Sequence, residues 1–313
     1  MSGPVTAADA PPVPPDGIDV EPRALELLDS RESQVGAMRV RRALPRRAHR
    51  TVGAWCFADH MGPASVTEER GLGIGPHPHI GLQTVTWLVA GEVLHRDSLG
   101  SEQVIRAGQL NLMTAGGGVA HSEEATGRYR GELHGIQLWV AQPEETRHGP
   151  AAFEHHPLLP RVDLDGATAT VVVGDFGGLV SPARRDTNHV GVDLALRAGR
   201  TVAPLRSDYE YALVVLAGAV QSDSVVVGPG HLAYLGTDRT EIALVSAQSA
   251  RVMLLGGVPF AEQLVMWWNF VARTTAEVDA AYASWQADDG RFGDVASPLA
   301  RIPAPRPVWS TNR

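Results

Sequence analysis

Short apolar runs separated by turn residues dominate the chain from about residue 36 onward. Runs such as GLQTVTWLVAGEV, LHGIQLWVAQ, ATATVVVGDF and YALVVLAGAV are followed by Gly, Pro, Asn or Asp at intervals of roughly 8 to 12 residues. Runs of this length and spacing are typical of strands in antiparallel sandwiches and barrels rather than of βαβ units. The pattern therefore predicts an all-β fold.

Two stretches follow the same order of elements, which indicates an internal duplication. TVTWLVAGEV followed by IRAGQLNLMTAG is a strand, a Gly turn, a strand and a further Gly turn. YALVVLAGAV followed by VVVGPGHLAYLG repeats that order, with Gly218 standing 127 positions (218 − 91) after Gly91. We predict two tandem β-barrels, over residues 36–165 and 166–271.

The segments outside the barrels differ in composition. Residues 1–35, Pro/Ala/Asp-rich at first, predict a mobile tail that includes a short helical piece at Arg23–Asp29. The polar, Pro-bearing residues 142–163 read as a linker. Beyond Val271 the period changes, and Thr274 or Thr275 would cap a short helix, followed by an extended Pro-rich tail to residue 313.

Charge and cysteine usage exclude several classes of function. The 313 residues include 27 Lys and Arg against 35 Asp and Glu, a net charge of −8, which gives no global field for nucleic acid. The single cysteine, Cys56, can form no internal disulfide and reads as a small buried hydrophobe. No apolar run approaches the roughly 18 residues of a membrane span, and the N-terminus has no signal-peptide features. We expect a cytoplasmic protein with no direct nucleic-acid or membrane partner.

One group of residues carries recognisable metal chemistry. The stretch GPHPH places His77 and His79 two residues apart, and GGGVAHSE does the same for His121 and Glu123. In a strand such pairs project to one face, so neighbouring strands could bring all four side chains together inside a barrel. Three imidazoles and one carboxylate suit a divalent transition metal and leave two of six positions open. The ligand set alone does not choose among Fe, Ni, Mn, Cu and Zn.

These motifs resemble a known family. The spacing Gly71-x5-His77-x-His79-x3-Gln83 is similar to the first cupin motif, although a Glu usually stands at the position of Gln83. The fifty residues from GPHPHIG to AHSEE are similar to the pirin family of bicupins, in which HPH and HxE supply all four ligands. LHGIQLWVAQP and MWWNFVART resemble further pirin landmarks.

The resemblance implies two cupin (jelly-roll) barrels with one metal, usually iron(II), in the first. The second barrel of pirins has typically lost its ligands, and here His231 stands alone, as a packed or surface residue would. Gly117 occupies a position where pirins often have Arg, which puts the identity of the substrate in doubt.

The leading functional hypothesis is a pirin-like dioxygenase that uses O₂ on a small aromatic substrate, a flavonol such as quercetin. Glu123 would act as a metal ligand and as the acceptor of the substrate's hydroxyl proton. The alternative is a non-enzymatic, metal-dependent regulatory partner of a metabolic enzyme or transcription factor, with a docking surface that includes Arg39–Arg50. A third option is a cupin isomerase or another metal enzyme.

Several other residues leave two interpretations open. Gln83 lies near the metal motif or is simply a buried, hydrogen-bonded glutamine, and His95 points into the cavity or bonds a loop carbonyl. Trp267 and Trp268 form aromatic core or a partner surface. The arginine run is a solvated strand edge or a contact for an acidic partner. No ligand partner is expected for these histidines: His60, His134, His155 and His156.

Overall fold

The computed structural model describes residues 24–36, 38–67 and 72–312, and its architecture is all-β with one α-helix in that part of the chain. Each half combines a seven-stranded sheet with a four-stranded sheet. The predicted fold of two tandem barrels and a short C-terminal helix is confirmed. In chain order the strands of the first half are β1 (Glu26–Asp29), β2 (Arg31–Val35), β3 (Met38–Leu44), β4 (Trp55–Val66), β5 (Ile74–His79), β6 (Leu82–Ala90), β7 (Glu92–Asp97), β8 (Glu102–Arg106), β9 (Leu110–Thr114), β10 (Val119–Glu124), β11 (Gly131–Ala141) and β12 (Ala152–His156).

The second half contains a similar set of strands, two short hairpins and the helix. These elements are β13 (Arg161–Leu164), β14 (Ala167–Val173), β15 (Asp175–Phe176), β16 (Leu179–Val180), β17 (His189–Leu196), β18 (Gly199–Pro204), β19 (Glu210–Ala217), β20 (Val220–Ser222), β21 (Val225–Val227), β22 (His231–Gly236), β23 (Glu241–Ser246), β24 (Ala250–Gly257), β25 (Val265–Trp267), β26 (Phe270–Ala272) and α1 (Thr275–Ala287). The large sheet of the second barrel has the order β1-β22-β19-β24-β17-β14-β13, and its small sheet has the order β18-β23-β20-β21.

The two barrels share a core between their large sheets. The first large sheet, of order β12-β9-β6-β11-β4-β3-β2, contributes side chains such as Trp87 and Ile136 to that core, and the second contributes Val214 and Leu255. Strands that are buried on both faces have continuous apolar sequences. This explains the runs VVV in β14 and YALVVLA in β19. The inside of the second barrel is filled by Ala, Val, Leu and Tyr side chains.

The N-terminal segment differs from the prediction. The proposed helix at Arg23–Asp29 is wrong, because Glu26–Asp29 is strand β1, antiparallel to β22 of the second barrel. Residues 31–35, assigned to a mobile tail, form β2 at the edge of the first large sheet. Residues 1–23 and Gly71 lie outside the described residues. The linker assigned to residues 142–163 is also wrong in part, since β12 pairs with β9 of the first barrel.

The C-terminal segment returns to the first barrel. Hairpin β25–β26 lies against β5 through a bridge between Ile80 and Phe270. Helix α1 follows, and the Thr274 side chain accepts a hydrogen bond from the backbone amide of Glu277, which confirms the predicted cap. In the described residues no helix is long and apolar enough to cross a membrane.

Candidate metal centre

Three of the four predicted ligand side chains meet between strands β5 and β10. These strands are antiparallel, with His121 opposite His77 and Val119 opposite His79. Because residues i and i+2 of a strand share a face, both β5 histidines face the ring of His121. Ligand nitrogens of the three buried histidines all lie within 4.8 Å of one another. Strand alternation therefore predicted the cluster, while binding of a metal by it stays a prediction.

Glu123 lies beside this cluster rather than within the group of three nitrogens. A bulge separates the two pairs: His121 lies opposite His77, but Glu123 lies opposite Ile74, one residue further along β5 than regular pairing would give. The Glu123 carboxylate accepts a hydrogen bond from the Thr86 hydroxyl at 3.4 Å and lines the same cavity as two of the histidines. Burial raises the pKa of Glu123 to about 7. In the absence of a cation, this group is therefore both acid and base near neutral pH.

Backbone carbonyls set the tautomers of the two β5 histidines. His77 Nδ1 lies 2.9 Å from the Gly75 carbonyl oxygen, and His79 Nδ1 lies 3.0 Å from that of Asn269. A carbonyl oxygen only accepts, so each Nδ1 carries the proton. Burial lowers the pKa of His77 to about 4 and that of His79 well below its ordinary value. Both rings are therefore neutral at pH 7, with a lone pair on Nε2.

Hydrogen bonds from Asp97 through His95 set the tautomer of His121, the third histidine. Asp97 Oδ1 accepts hydrogen bonds from the amides of Leu99 and Ser101, and its Oδ2 lies 3.0 Å from His95 Nε2. The carboxylate makes Nε2 the protonated nitrogen of His95 and leaves a lone pair on its Nδ1. That Nδ1 lies 3.4 Å from Nδ1 of His121, so His121 donates from Nδ1. Its Nε2 is then free as well.

The donor set fits a divalent transition metal. The Nε2 atoms of His79 and His121 lie 3.1 Å apart, and with both protons on Nδ1 neither can donate to the other. Two lone pairs at this distance repel each other, and a shared cation would remove that repulsion. Neutral imidazole nitrogens whose other ring nitrogen donates to a carbonyl or a carboxylate-anchored group are typical metal ligands.

A cavity of about 400 Å³ opens from the cluster toward the edge of the barrel. Stacked rings of Phe57 and Trp139, with centroids 4.0 Å apart, form part of its wall. Arg42 lies over the Phe57 ring and pairs with the buried Asp59 through two hydrogen bonds of 2.8 and 2.7 Å. A flat aromatic molecule with polar substituents suits this combination of stacked aromatic rings and polar side chains.

The tip of hairpin β25–β26 completes the site, and the pattern of apolar and polar positions did not predict this. Trp268 and Asn269 are the two residues between the strands, and both line the cavity. Trp268 has a φ of 52°, which is uncommon for a bulky residue. Such backbone conformations are concentrated at functional sites. The resemblance of MWWNFVART to a pirin landmark was the one signal that could have indicated it. Trp267, by contrast, donates to the Pro305 carbonyl.

The remaining candidates have structural partners. Gln83 donates to the Thr114 hydroxyl, which favours the buried, hydrogen-bonded interpretation. His95 contacts the cluster, as the cavity interpretation required. His231 lies near Asp29 at the surface of the second barrel. Cys56 is buried, as predicted.

Four other histidines bond residues outside the three-histidine group. His60 and His134, on adjacent strands, form a buried pair with their Nε2 atoms 2.9 Å apart. His155 bonds the Asn111 side chain of the adjacent strand β9, and His156 bonds Glu154 on its own strand. The linker interpretation of His155 and His156 is wrong, because both lie on β12.

Two tandem barrels with three convergent histidines in the first define a bicupin with a candidate metal centre. The family model described as Pirin matches residues 37–140, and the model for the Pirin C-terminal cupin domain matches residues 191–293. The chain belongs to the pirin family. In the described residues this is the one group of at least three clustered histidine, cysteine or acidic side chains, so the second barrel holds no comparable group.

Relatives extend over nearly the whole chain. A Pseudomonas aeruginosa protein named "Putative quercetin 2,3-dioxygenase" is 44% identical over 291 residues, covering 92% of each chain. A "Pirin-like protein" of Caulobacter vibrioides is 35% identical over 277 residues, covering 86% of this chain and 95% of that protein. The crystal structure of a quercetin 2,3-dioxygenase from Acinetobacter baumannii superimposes with a TM-score of 0.88 at 40% identity, over 90% of this chain and 95% of that one.

Proposed function

We propose that this protein is a metal-dependent dioxygenase that cleaves a flavonol such as quercetin with O₂. The observation that carries the proposal is the convergence of three imidazoles whose Nε2 lone pairs face one another beside a cavity with an aromatic wall. Two relatives with 40% or greater identity bear the name of this activity. His77, His79, His121 and Glu123 would hold the metal, with iron(II) as the proposed ion.

The metal would supply Lewis acidity and redox chemistry toward the flavonol and O₂. The three histidines contribute neutral nitrogens in fixed tautomers, which their hydrogen-bonded partners hold in place. Glu123 accepts the proton of the flavonol 3-hydroxyl at its carboxylate, which lines the same cavity as His77 and His121. The Phe57 and Trp139 rings orient the flat substrate and exclude water.

The test is oxygen-dependent loss of the flavonol absorption band. Protein loaded with Fe(II), and separately with Ni(II), Mn(II), Cu(II) or Zn(II), is mixed with quercetin in air, and O₂ uptake is measured in parallel. Glu123→Gln should retain metal yet lose most turnover, His121→Ala should lose both, and the control His231→Ala should change neither. Metal-loaded wild-type protein without O₂ uptake on any flavonol would contradict the proposal and favour the regulatory alternative.

The regulatory alternative receives less support from the arginine run. Arg42 is turned into the cavity, where it pairs with Asp59, and Arg41 donates to the Gly62 carbonyl. The run from Arg39 to Arg50 is therefore divided between different environments rather than presented as one docking surface.

A further inference from the structure

A row of polar side chains crosses the inner face of the first large sheet. Register pairing places Arg42 on β3 opposite Asp59 on β4, Asp59 opposite Gln137 on β11, and Gln137 opposite Thr86 on β6. Four neighbouring strands thus present a polar residue at one level of the barrel. We call these four residues the polar row.

The polar row faces the cavity and not the core between the barrels. Residues i and i+2 of a strand share a face. Phe57 and Trp139, each two residues from a member of the row, line the cavity, whereas Ile136 and Leu138 pack into the inter-barrel core. The pattern of apolar and polar positions on β4 and β11 therefore assigns Asp59 and Gln137 to the cavity side, and both residues line it.

The row connects the entrance of the cavity with the candidate metal centre. At one end, the Arg42 side chain is 29% exposed, while Asp59 beside it is 3% exposed. At the other end, the Thr86 hydroxyl donates to Glu123 at 3.4 Å. A molecule that fills the cavity beside the histidines therefore contacts Arg42, Asp59 and Gln137 of the row.

Hydrogen-bonding capacity along the row is left over at Gln137 and at Asp59. Gln137 Oε1 is buried and has no hydrogen-bond partner among the described residues. Each Asp59 oxygen accepts one bond from Arg42 and retains a second lone pair. A buried acceptor without a donor is costly, and such groups in native proteins normally have a partner. The row is therefore suited to a ligand that brings hydroxyl groups, which donate as well as accept.

Charge excludes the obvious alternative ligand, an aromatic carboxylate. The Arg42 guanidinium is the one cation of the row, and it is already neutralised by two hydrogen bonds to Asp59. A carboxylate placed here would meet the Asp59 carboxylate, which repels it. A neutral hydroxyl group does not meet this penalty.

We propose that the polar row is the specificity-determining element of the site and selects flat aromatic substrates with hydroxyl groups on the part remote from the metal. Asp59 accepts a hydroxyl proton, the Gln137 side-chain amide bonds the hydroxyl groups, and Arg42 holds Asp59 in place. This inference rests on the proposed function, because that function sets which end of the substrate faces the histidines.

The test measures binding without turnover, using anaerobic, metal-loaded full-length protein and two ligands. Quercetin and 3-hydroxyflavone share the 3-hydroxy-4-carbonyl group, but only quercetin has further hydroxyls. Wild-type protein should bind quercetin roughly tenfold or more tightly than 3-hydroxyflavone, the effect of one or two hydrogen bonds to buried groups. Gln137→Met should remove most of that preference with little effect on 3-hydroxyflavone. The matched control is Gln83→Met, since Gln83 is also a buried glutamine with an unpartnered Oε1.

The possible outcomes distinguish a failure of the polar-row proposal from a failure of the proposed function. If wild-type protein binds both ligands equally, or Gln137→Met weakens both by the same factor, the polar row is not a specificity element, although flavonol binding stands. If metal-loaded wild-type protein binds neither ligand, the proposed function itself fails and the row with it. Equal binding of the two ligands by wild-type protein refutes the row even where Gln137→Met does not fold.

Discussion

The hydrogen bonds that connect Asp97 to His95 and His95 to His121 lead to a specific prediction about metal affinity. In Asp97→Asn, the side-chain carbonyl oxygen would replace Oδ1 as the acceptor for the Leu99 and Ser101 amides. The amide nitrogen would then face His95 and donate to its Nε2. The proton of His95 would move to Nδ1, opposite Nδ1 of His121, so that His121 would have to carry its proton on Nε2. A protonated Nε2 cannot bind a metal.

The expected loss of metal affinity can be taken from other metal sites in which a hydrogen-bonding partner positions a metal-bound histidine. Removing an outer hydrogen-bonding partner of a metal-bound histidine typically lowers metal affinity by about 10- to 100-fold, which is about 1.4–2.7 kcal/mol. We expect Asp97→Asn to fall in this range, as should His95→Ala, since loss of His95 frees the His121 ring. The combination of both changes should cost no more than the larger single effect, because Asp97 acts only through His95.

Competition with a chromophoric chelator measures these affinities, and the thermal midpoint of the metal-free proteins checks that each variant is folded. His155→Ala is the control, because this residue is a hydrogen-bonded histidine of the same barrel on strand β12. Unchanged affinity in Asp97→Asn, or full additivity in the double variant, would refute the tautomer argument.

Three further predictions concern other parts of the fold. Gly75→Ala places a Cβ 2.0 Å from the Ala300 carbonyl oxygen and should make the C-terminal segment more susceptible to proteolysis. Gly73→Ala, with open space around the new Cβ, should not have this effect, and equal cleavage of both variants would count against the contact. Thr274→Ala should lower the free energy of unfolding by about 1 kcal/mol through loss of the helix cap, and an unchanged denaturant midpoint would be the contrary result. Burial raises the pKa of Cys56 to about 12, so a thiol reagent at pH 8 should label only unfolded protein; fast labelling of native protein would disagree.

Local patterns predicted the parts of the fold that depend on short-range chemistry. Strand alternation brought His77, His79 and His121 together, and a capping threonine located the start of α1. Residues 26–29 were misread as helix because the strand that pairs with them, β22, lies about 200 residues away, and no local signal reports it.

Features of the site that depend on register were beyond sequence reasoning. The bulge between β5 and β10 sets Glu123 beside the histidines and not among them. The polar row exists only because four separate strands align, and Asn269 reaches His79 from 190 positions away. Each of these contacts is long-range, whereas hydrophobic periodicity describes a single strand at a time.

The central claim is that the Nε2 atoms of the three clustered histidines bind one divalent ion. Anomalous diffraction at a metal absorption edge tests this claim most directly. Crystals grown with the candidate metal should show one strong anomalous peak per chain at about 2.0–2.3 Å from Nε2 of His77, His79 and His121. A carboxylate oxygen of Glu123 should lie at a similar distance. A peak bound through any Nδ1 of these rings, or a metal located elsewhere while this cluster stays empty, would contradict the account.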